Sequence, residues 1–251
     1  MTDTPIAIGT SPFPVESPSL QNTANAELSK STELPPVTTG TSEHYIHSTA
    51  HAVSRAAATD PLTVLFQREK LPPAQSTADL SLATIQKLIF DASLTRLHTK
   101  LAGGGFVAEA GDFAAVACWQ PGKVGETSVL ANVVPERSVF GAFAQGWAQL
   151  MRAHLYPLAE RVSGGRYWKL SLMARDPGVG YVAGAVRAVL VPFIERFTSD
   201  RNEGGPMPVW LEAGNEQARD VYAHFGFREV GEVQFQGIKT WGMIYTGNIR
   251  D

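Results

Sequence analysis

The chain has 251 residues, room for one mid-sized domain or two small ones and too few for two large ones. Hydrophobic residues make up 44% and charged residues 18%, which is enough apolar surface for a sizeable core and excludes a wholly disordered chain. Lys and Arg number 21 against 24 Asp and Glu, so a net charge of −3 gives no overall footprint for nucleic acid or an anionic membrane, and no partner of either kind is expected. The single cysteine, Cys118, allows no internal disulfide and points to a reducing, cytoplasmic setting.

Residues 1–43 are crowded with Pro, Ser and Thr, as in Leu34-Pro35-Pro36-Val37-Thr38-Thr39, and sustain no hydrophobic period. They are expected to be a disordered tail, with one folded domain over 44–251. A helix is expected over 47–66, broken near Asp60-Pro61. A second over 82–101 carries Leu82, Ile85, Leu88, Ile89 and Leu97 at helical spacing. Gly103-Gly104-Gly105 stops it. Runs at 106–110 and 113–119 around Gly111-Asp112 predict a β-hairpin, and 121–135 reads as a loop. Positions 140–160 predict a helix ended or kinked at Pro157, closed by Gly164-Gly165. Then come a strand over 167–174, a small-residue loop over 178–185, a buried helix over 186–197, a strand over 208–213, a helix over 215–225, and two strands over 228–235 and 239–245 joined at Gly237. The order predicts a mixed α/β sheet.

A strand running into Gly178-Val179-Gly180-Tyr181-Val182-Ala183-Gly184-Ala185 and then a helix is a phosphate or pyrophosphate cradle in form. Small side chains let ligand oxygens reach backbone N–H groups at a helix start, where the donors are unpaired and the dipole is positive. Tight helix-on-strand packing is the structural alternative. Gly178-x-Gly180-x-x-Ala183 fits a dinucleotide fingerprint, but the next strand acid, Glu212, comes too late and too little chain follows for a doubly wound sheet.

The stretch 167–245 resembles the GNAT superfamily of acetyl-CoA-dependent N-acetyltransferases, particularly its puromycin N-acetyltransferase-like and fungal branch. The residues that carry this are Pro208-Val209-Trp210-Leu211-Glu212-Ala213-Gly214-Asn215, followed by Ala218, Tyr222 and Phe225-Gly226-Phe227. Tyr167-Trp168-Lys169-Leu170, Asp176-Pro177 and Thr240-Trp241-Gly242-Met243 support it, and Asp60-Pro61-Leu62 and Trp119-Gln120-Pro121-Gly122 fit more loosely. The resemblance implies a GNAT-like acyl-CoA N-acyltransferase fold, with a splayed central sheet flanked by helices. It also implies acetyl transfer from acetyl-CoA as cosubstrate to a small-molecule amine, without metal; a protein acceptor is the alternative. The family's loop pattern, Gln/Arg-x-x-Gly-x-Gly/Ala, falls on Gly180, Ala183 and Ala185. Ala183 adds a methyl and limits access to positive φ, which leaves a non-catalytic CoA-binding scaffold as a further alternative.

The resemblance also implies roles for individual residues. The pyrophosphate would lie on the amides of Val182 to Val186, Ala183, Gly184 and Ala185 included, with Tyr181 and Val182 lining the approach and Gly180 and Ala183 shaping the loop. The pantetheine arm would bond to strand amides at Leu172, Met173 and Ala174 and to Asn215, which also suits a helix N-cap. Tyr222 would protonate the departing thiolate, its ordinary pKa near 10 roughly matching a thiol's. Strand alternation puts Glu212 on the face of Trp210, making it the first candidate for general base, ahead of Glu109 and Asp176. A strand Glu is as often paired with a basic residue. His224 is expected at the surface, and His44, His47 and His51 are solvated rather than metal-binding. Cys118 and the Phe140, Phe143, Trp147, Leu150 stripe are expected to be core.

Overall fold

The computed structural model of the chain describes residues 33–72, 80–126, 138–202, 204–247 and 249. Expectations for 1–32 and for 127–135 lie outside these residues. Among the described residues the backbone builds one seven-stranded sheet in the order β1-β2-β3-β4-β5-β7-β6: β1 Val37–Gly40, β2 Phe106–Ala110, β3 Ala115–Lys123, β4 Arg166–Arg175, β5 Val209–Ala213, β6 Arg228–Phe235 and β7 Ile238–Tyr245. Every pairing is antiparallel except β4 with β5.

Helix α1 is Glu43–Ala57 and α2 is Pro61–Arg68. The break between them has the expected cause. Pro61 is preorganised for a first helical turn, and the Asp60 carboxylate accepts the Thr63 N–H at 2.9 Å. Helix α3, Leu82–Ala102, starts at Ser81, whose hydroxyl accepts the Thr84 N–H. Helix α4, Val139–Leu150, runs into a π turn at Met151–Leu155 and then into α5, Tyr156–Ser163. Pro157 has no N–H to donate and its ring crowds the preceding turn. The turn therefore widens, and the Tyr156 N–H reaches back to the Met151 carbonyl. Helix α6, Ala185–Phe197, and helix α7, Glu216–His224, complete the described helices named here.

Two layers cover the sheet. On one face α6 and α7 bury Trp119, Leu170, Val189, Ile194, Leu211, Tyr222 and Met243 in the largest core, where the Trp168 and Phe197 rings stack at 4.2 Å. On the other, α1 and α3 close over Val107, Val116, Cys118 and Ala174, while the π turn and α5 cover Tyr167, Trp210 and Ile244.

Two expectations are corrected. The ordered chain starts before residue 44: β1 pairs with β2 from Val37 opposite Ala110 to Gly40 opposite Val107. Its β-branched residues suit a pleated edge, and Thr38 hydrogen-bonds the Glu109 carboxylate. Pro121 and Gly122 do not open a loop but continue β3 opposite Trp168 and Tyr167. Proline is tolerated there because β2 ends opposite Trp119, leaving that side of β3 without a ladder. A β-carbon at Gly122 would run into the Tyr167 ring.

Candidate functional site

Parallel strands β4 and β5 pair only at Trp168–Val209, Lys169–Trp210 and Leu170–Leu211. Beyond these positions β4 continues to Arg175 and β5 to Ala213 with no ladder between them, so the sheet opens as a V. Leu172, Met173 and Ala174 lie on its β4 arm, still paired to β3 at Cys118, Ala117 and Val116. Backbone groups on the inner edge of such an opening are available to an extended ligand.

The cradle lies where β4 hands over to α6. Among the described residues the N–H groups of Gly180, Tyr181, Val182, Ala183, Gly184, Val186 and Arg187 have no hydrogen-bond acceptor. Ala185 and Ala188 are bonded to Val182 and Gly184. A run of free amides at a helix N-terminus is an anion-binding arrangement. The left-handed residue is Gly184, at φ 76°, and Ala183 needs no positive φ. The conformational objection to Ala183 therefore disappears, because the turn places the demand one residue later. Gly180 meets nothing that a β-carbon would touch. The loop is pinned by Asp176, buried, whose carboxylate pairs with Arg55 of α1 and accepts the Gly178 N–H at 2.8 Å. The Arg55 guanidinium holds this carboxyl below its usual range, which makes it a poor base. An open groove of about 760 Å³ starts at Val186 and runs along α7 past Glu216, Asp220, Val221 and Phe225.

Tyr222 is buried on α7 against β5, edge-on to Phe227 at 5.8 Å. Its hydroxyl has no hydrogen-bond partner among the described residues, and burial pushes its pKa above the ordinary phenol value. The simple match to a free thiol therefore fails for Tyr222 alone. Matching is restored only if the accepting thiolate is desolvated in the same place, because burial raises both. Asn215 caps α7, accepting the Ala218 N–H at 2.9 Å, and its amide donates to Asp60 Oδ1 at 3.2 Å. Two residues singled out separately by sequence are thus in contact, and the starts of α2 and α7 are tied beside the end of β5.

Glu212 lies on the α1/α3 side of the sheet, as strand alternation requires. Its Oε1 accepts from Lys169 Nζ and Trp210 Nε1, both at 2.6 Å. Next to it, Gln120 Oε1 accepts from Lys100 Nζ at 2.9 Å and from Ser171 Oγ at 3.1 Å. Lys100 is buried, and burial together with the charges of Arg96 and Lys169 brings its pKa down to about 7. Lys100, Arg96 and Ser171 were not singled out by sequence, and Lys169 and Gln120 only as members of the motifs, without a role at the site. The available signal was a lysine in register with the buried face of α3, Ile89, Ser93 and Leu97. Glu109 is occupied by Thr38 and the Phe113 N–H, and so is structural.

Cys118 is buried and its thiol is pushed up to about 11 by desolvation. His224 is exposed, while His44 and His51 lie against Phe113 and Phe90. No group of three potential metal ligands occurs among the described residues. Phe140, Phe143 and Trp147 cluster with Phe66, Phe143 being fully buried.

No protein-family model matches the chain, and no curated protein sequence matches it. Among solved structures it is similar to arylalkylamine N-acetyltransferase 2 from Aedes aegypti, with a TM-score of 0.53 and 15% identity over 83% of this chain and 98% of that one. It is also similar to a polyamine N-acetyltransferase from Drosophila melanogaster, with a TM-score of 0.53 and 11% identity over 84% and 99%. An agmatine N-acetyltransferase gives 0.52 at 12% identity, over 83% and 98%. The fold is that of GNAT acetyltransferases, a mixed sheet splayed at its one parallel pair and flanked by helices.

Proposed function

We propose that the protein transfers an acetyl group from acetyl-CoA to the amine of a small molecule. The observation that carries this reading is the V between β4 and β5 beside the free amides at the start of α6. The amides of Gly180 to Gly184, with Val186, would take the pyrophosphate, and Ala185 would start the helix beneath it. The inner edge of β4 at Leu172, Met173 and Ala174 would take the pantetheine arm, with Asn215 at its side. Amine nitrogen attacks the thioester carbonyl, the N–C bond forms and the C–S bond breaks. Tyr222 gives its hydroxyl proton to the thiolate, and Glu212 takes the proton lost by the amine, through water.

The solved structures of like fold are named for arylalkylamines, polyamines and agmatine, which favours a small-molecule over a protein acceptor. Assignment to the puromycin N-acetyltransferase-like branch rests on the motif residues alone. Among the described residues no helix is long and apolar enough to cross a membrane, and a cytoplasmic location rests on the solitary cysteine.

The test is calorimetric titration of acetyl-CoA into the full chain with NAD as control, followed by turnover on an amine panel. Micromolar binding of acetyl-CoA without NAD binding, and release of CoA with an amine, are expected. Binding without turnover on any small amine or peptide would leave a CoA-binding scaffold. No binding would overturn the reading.

A further inference from the structure

On the α1/α3 side, where the sheet opens, Arg96, Lys100 and Lys169 stand near the carboxylate of Glu212. Arg96 and Lys100 are four residues apart on α3 and therefore neighbours on one helix face. Lys100 reaches the sheet at Gln120, which lies opposite Lys169 in the β3–β4 ladder; Lys169 lies opposite Trp210 in the β4–β5 ladder. The row Gln120, Lys169, Trp210 thus runs across the sheet at the point where it begins to open. Glu212 is the carboxylate beside it, and its Oε1 already holds Lys169 Nζ and Trp210 Nε1. Among the described residues Lys100 has only the neutral amide of Gln120, whose oxygen is shared with Ser171.

Arg96 makes no hydrogen bond or ion pair among the described residues. Its side chain keeps solvent-exposed surface, yet the protein packed around it desolvates the guanidinium and lowers its pKa, and its charge is felt at Lys70 and Lys100. Placing a guanidinium and a buried ammonium together without a matching carboxylate is unfavourable in the free protein. An oxyanion from outside would reverse that, since a guanidinium fork and an ammonium both form short charge-assisted bonds to it.

We propose that Arg96 and Lys100 form an oxyanion subsite on the acceptor side of the V, so that the preferred acceptor is an amine that also carries a carboxylate or a phosphate. The inference rests on the acetyl-transfer reading for the word acceptor, but the subsite itself does not. Glu212 and Lys169 lie between this subsite and the opening, so an acceptor anchored by its oxyanion would extend its amine toward Glu212. This selectivity differs from that implied by the names of the solved structures of like fold, whose amines carry no acid group.

The experiment is calorimetric titration of the full chain with two matched pairs, 4-aminobutyrate against butylamine and O-phosphoethanolamine against ethanolamine. Both pairs are measured in the native sequence and in Arg96→Gln and Lys100→Gln, with acetyl-CoA titrated in parallel. Charge-assisted bonds of this kind correspond to roughly a 10- to 100-fold preference for the acid-bearing member of a pair. The preference should fall about tenfold or more in Arg96→Gln, a change at a side chain with solvent-exposed surface, with acetyl-CoA affinity unchanged. The pair that shows it identifies carboxylate or phosphate as the group bound. Equal binding within both pairs, no binding of either acid at millimolar concentration, or a preference that survives both substitutions would overturn the proposal. Failure of acetyl-CoA to bind while the preference holds would overturn the acetyl-transfer reading and leave the oxyanion subsite standing.

Discussion

Replacing Lys100 with methionine keeps the stem that fills the space between α3 and the sheet and removes the buried ammonium. In the unfolded chain this lysine titrates near its ordinary value of 10.5; in the folded chain burial, Arg96 and Lys169 bring it down to about 7, against the opposing pull of Cys118 and Glu212. Between those values the unfolded state holds one proton more than the folded state, so this site makes stability rise with pH. The slope is on the order of 1 kcal/mol per pH unit, roughly 4 kcal/mol across the window. Below about pH 7 both states are protonated and the whole cost is present, whereas above about pH 10.5 both are neutral and it is gone. The variant loses the bond to Gln120, worth about 1 kcal/mol, but Gln120 Oε1 keeps Ser171 as donor and is not orphaned. Urea unfolding at about pH 6, 8 and 10 should therefore show Lys100→Met more stable than the native sequence at the lowest pH and level with it or slightly less stable at the highest. Parallel pH profiles for the two proteins would refute the reasoning.

The remaining predictions concern the cradle and the proton donor. Tyr222→Phe should lower kcat about 10²- to 10⁴-fold at unchanged acetyl-CoA affinity. Its unfolding midpoint should barely move, because the hydroxyl has no partner among the described residues; an unchanged kcat would remove Tyr222 from the chemistry. Gly184→Ala forces a β-carbon into the left-handed region next to Leu34, and should cost about 1 kcal/mol of stability and weaken acetyl-CoA binding, whereas Gly180→Ala should change neither. Equal effects in urea unfolding and calorimetry would show that the turn is not set at Gly184. Arg55→Met leaves the buried Asp176 carboxylate without its partner. It should cost about 2 kcal/mol, less than for a fully buried pair because Arg55 is partly open to water. Asp176 is held below its usual range by Arg55, so its contribution is present above the ordinary aspartate value and lost on acidification. Arg55→Met should therefore flatten the acid limb of the stability curve; an unaltered limb would place the acid sensitivity elsewhere.

Periodicity and punctuation carried most of the fold. The break at Asp60-Pro61, an irregularity of the helix at Pro157 and the stop at Gly103 are local steric and hydrogen-bonding effects, so they could be read from neighbouring residues, although the form the irregularity takes, a π turn, was not. Val37–Gly40 could not be, because a four-residue strand in a Pro- and Thr-rich run exists only through the edge that β2 offers it. The same holds for Pro121-Gly122, which reads as a turn until the partner strand is known.

The site divides along the same line. Asn215 as a cap, Glu212 on the face of Trp210, and small residues between a strand and a helix follow from sequence, because each depends on the backbone within a few positions. The choice of Gly184 rather than Ala183 as the left-handed residue, the parting of β4 from β5 after Leu170, and the contact of Asn215 with Asp60 were decided by packing across the sheet. So was the placing of Arg96 and Lys100 near Glu212. One strand reports only its own alternation, and a helix its own stripe. Whether a lysine on that stripe meets a carboxylate, an amide or water depends on which strand passes beneath it, and only the tertiary structure brings Gln120 under Lys100.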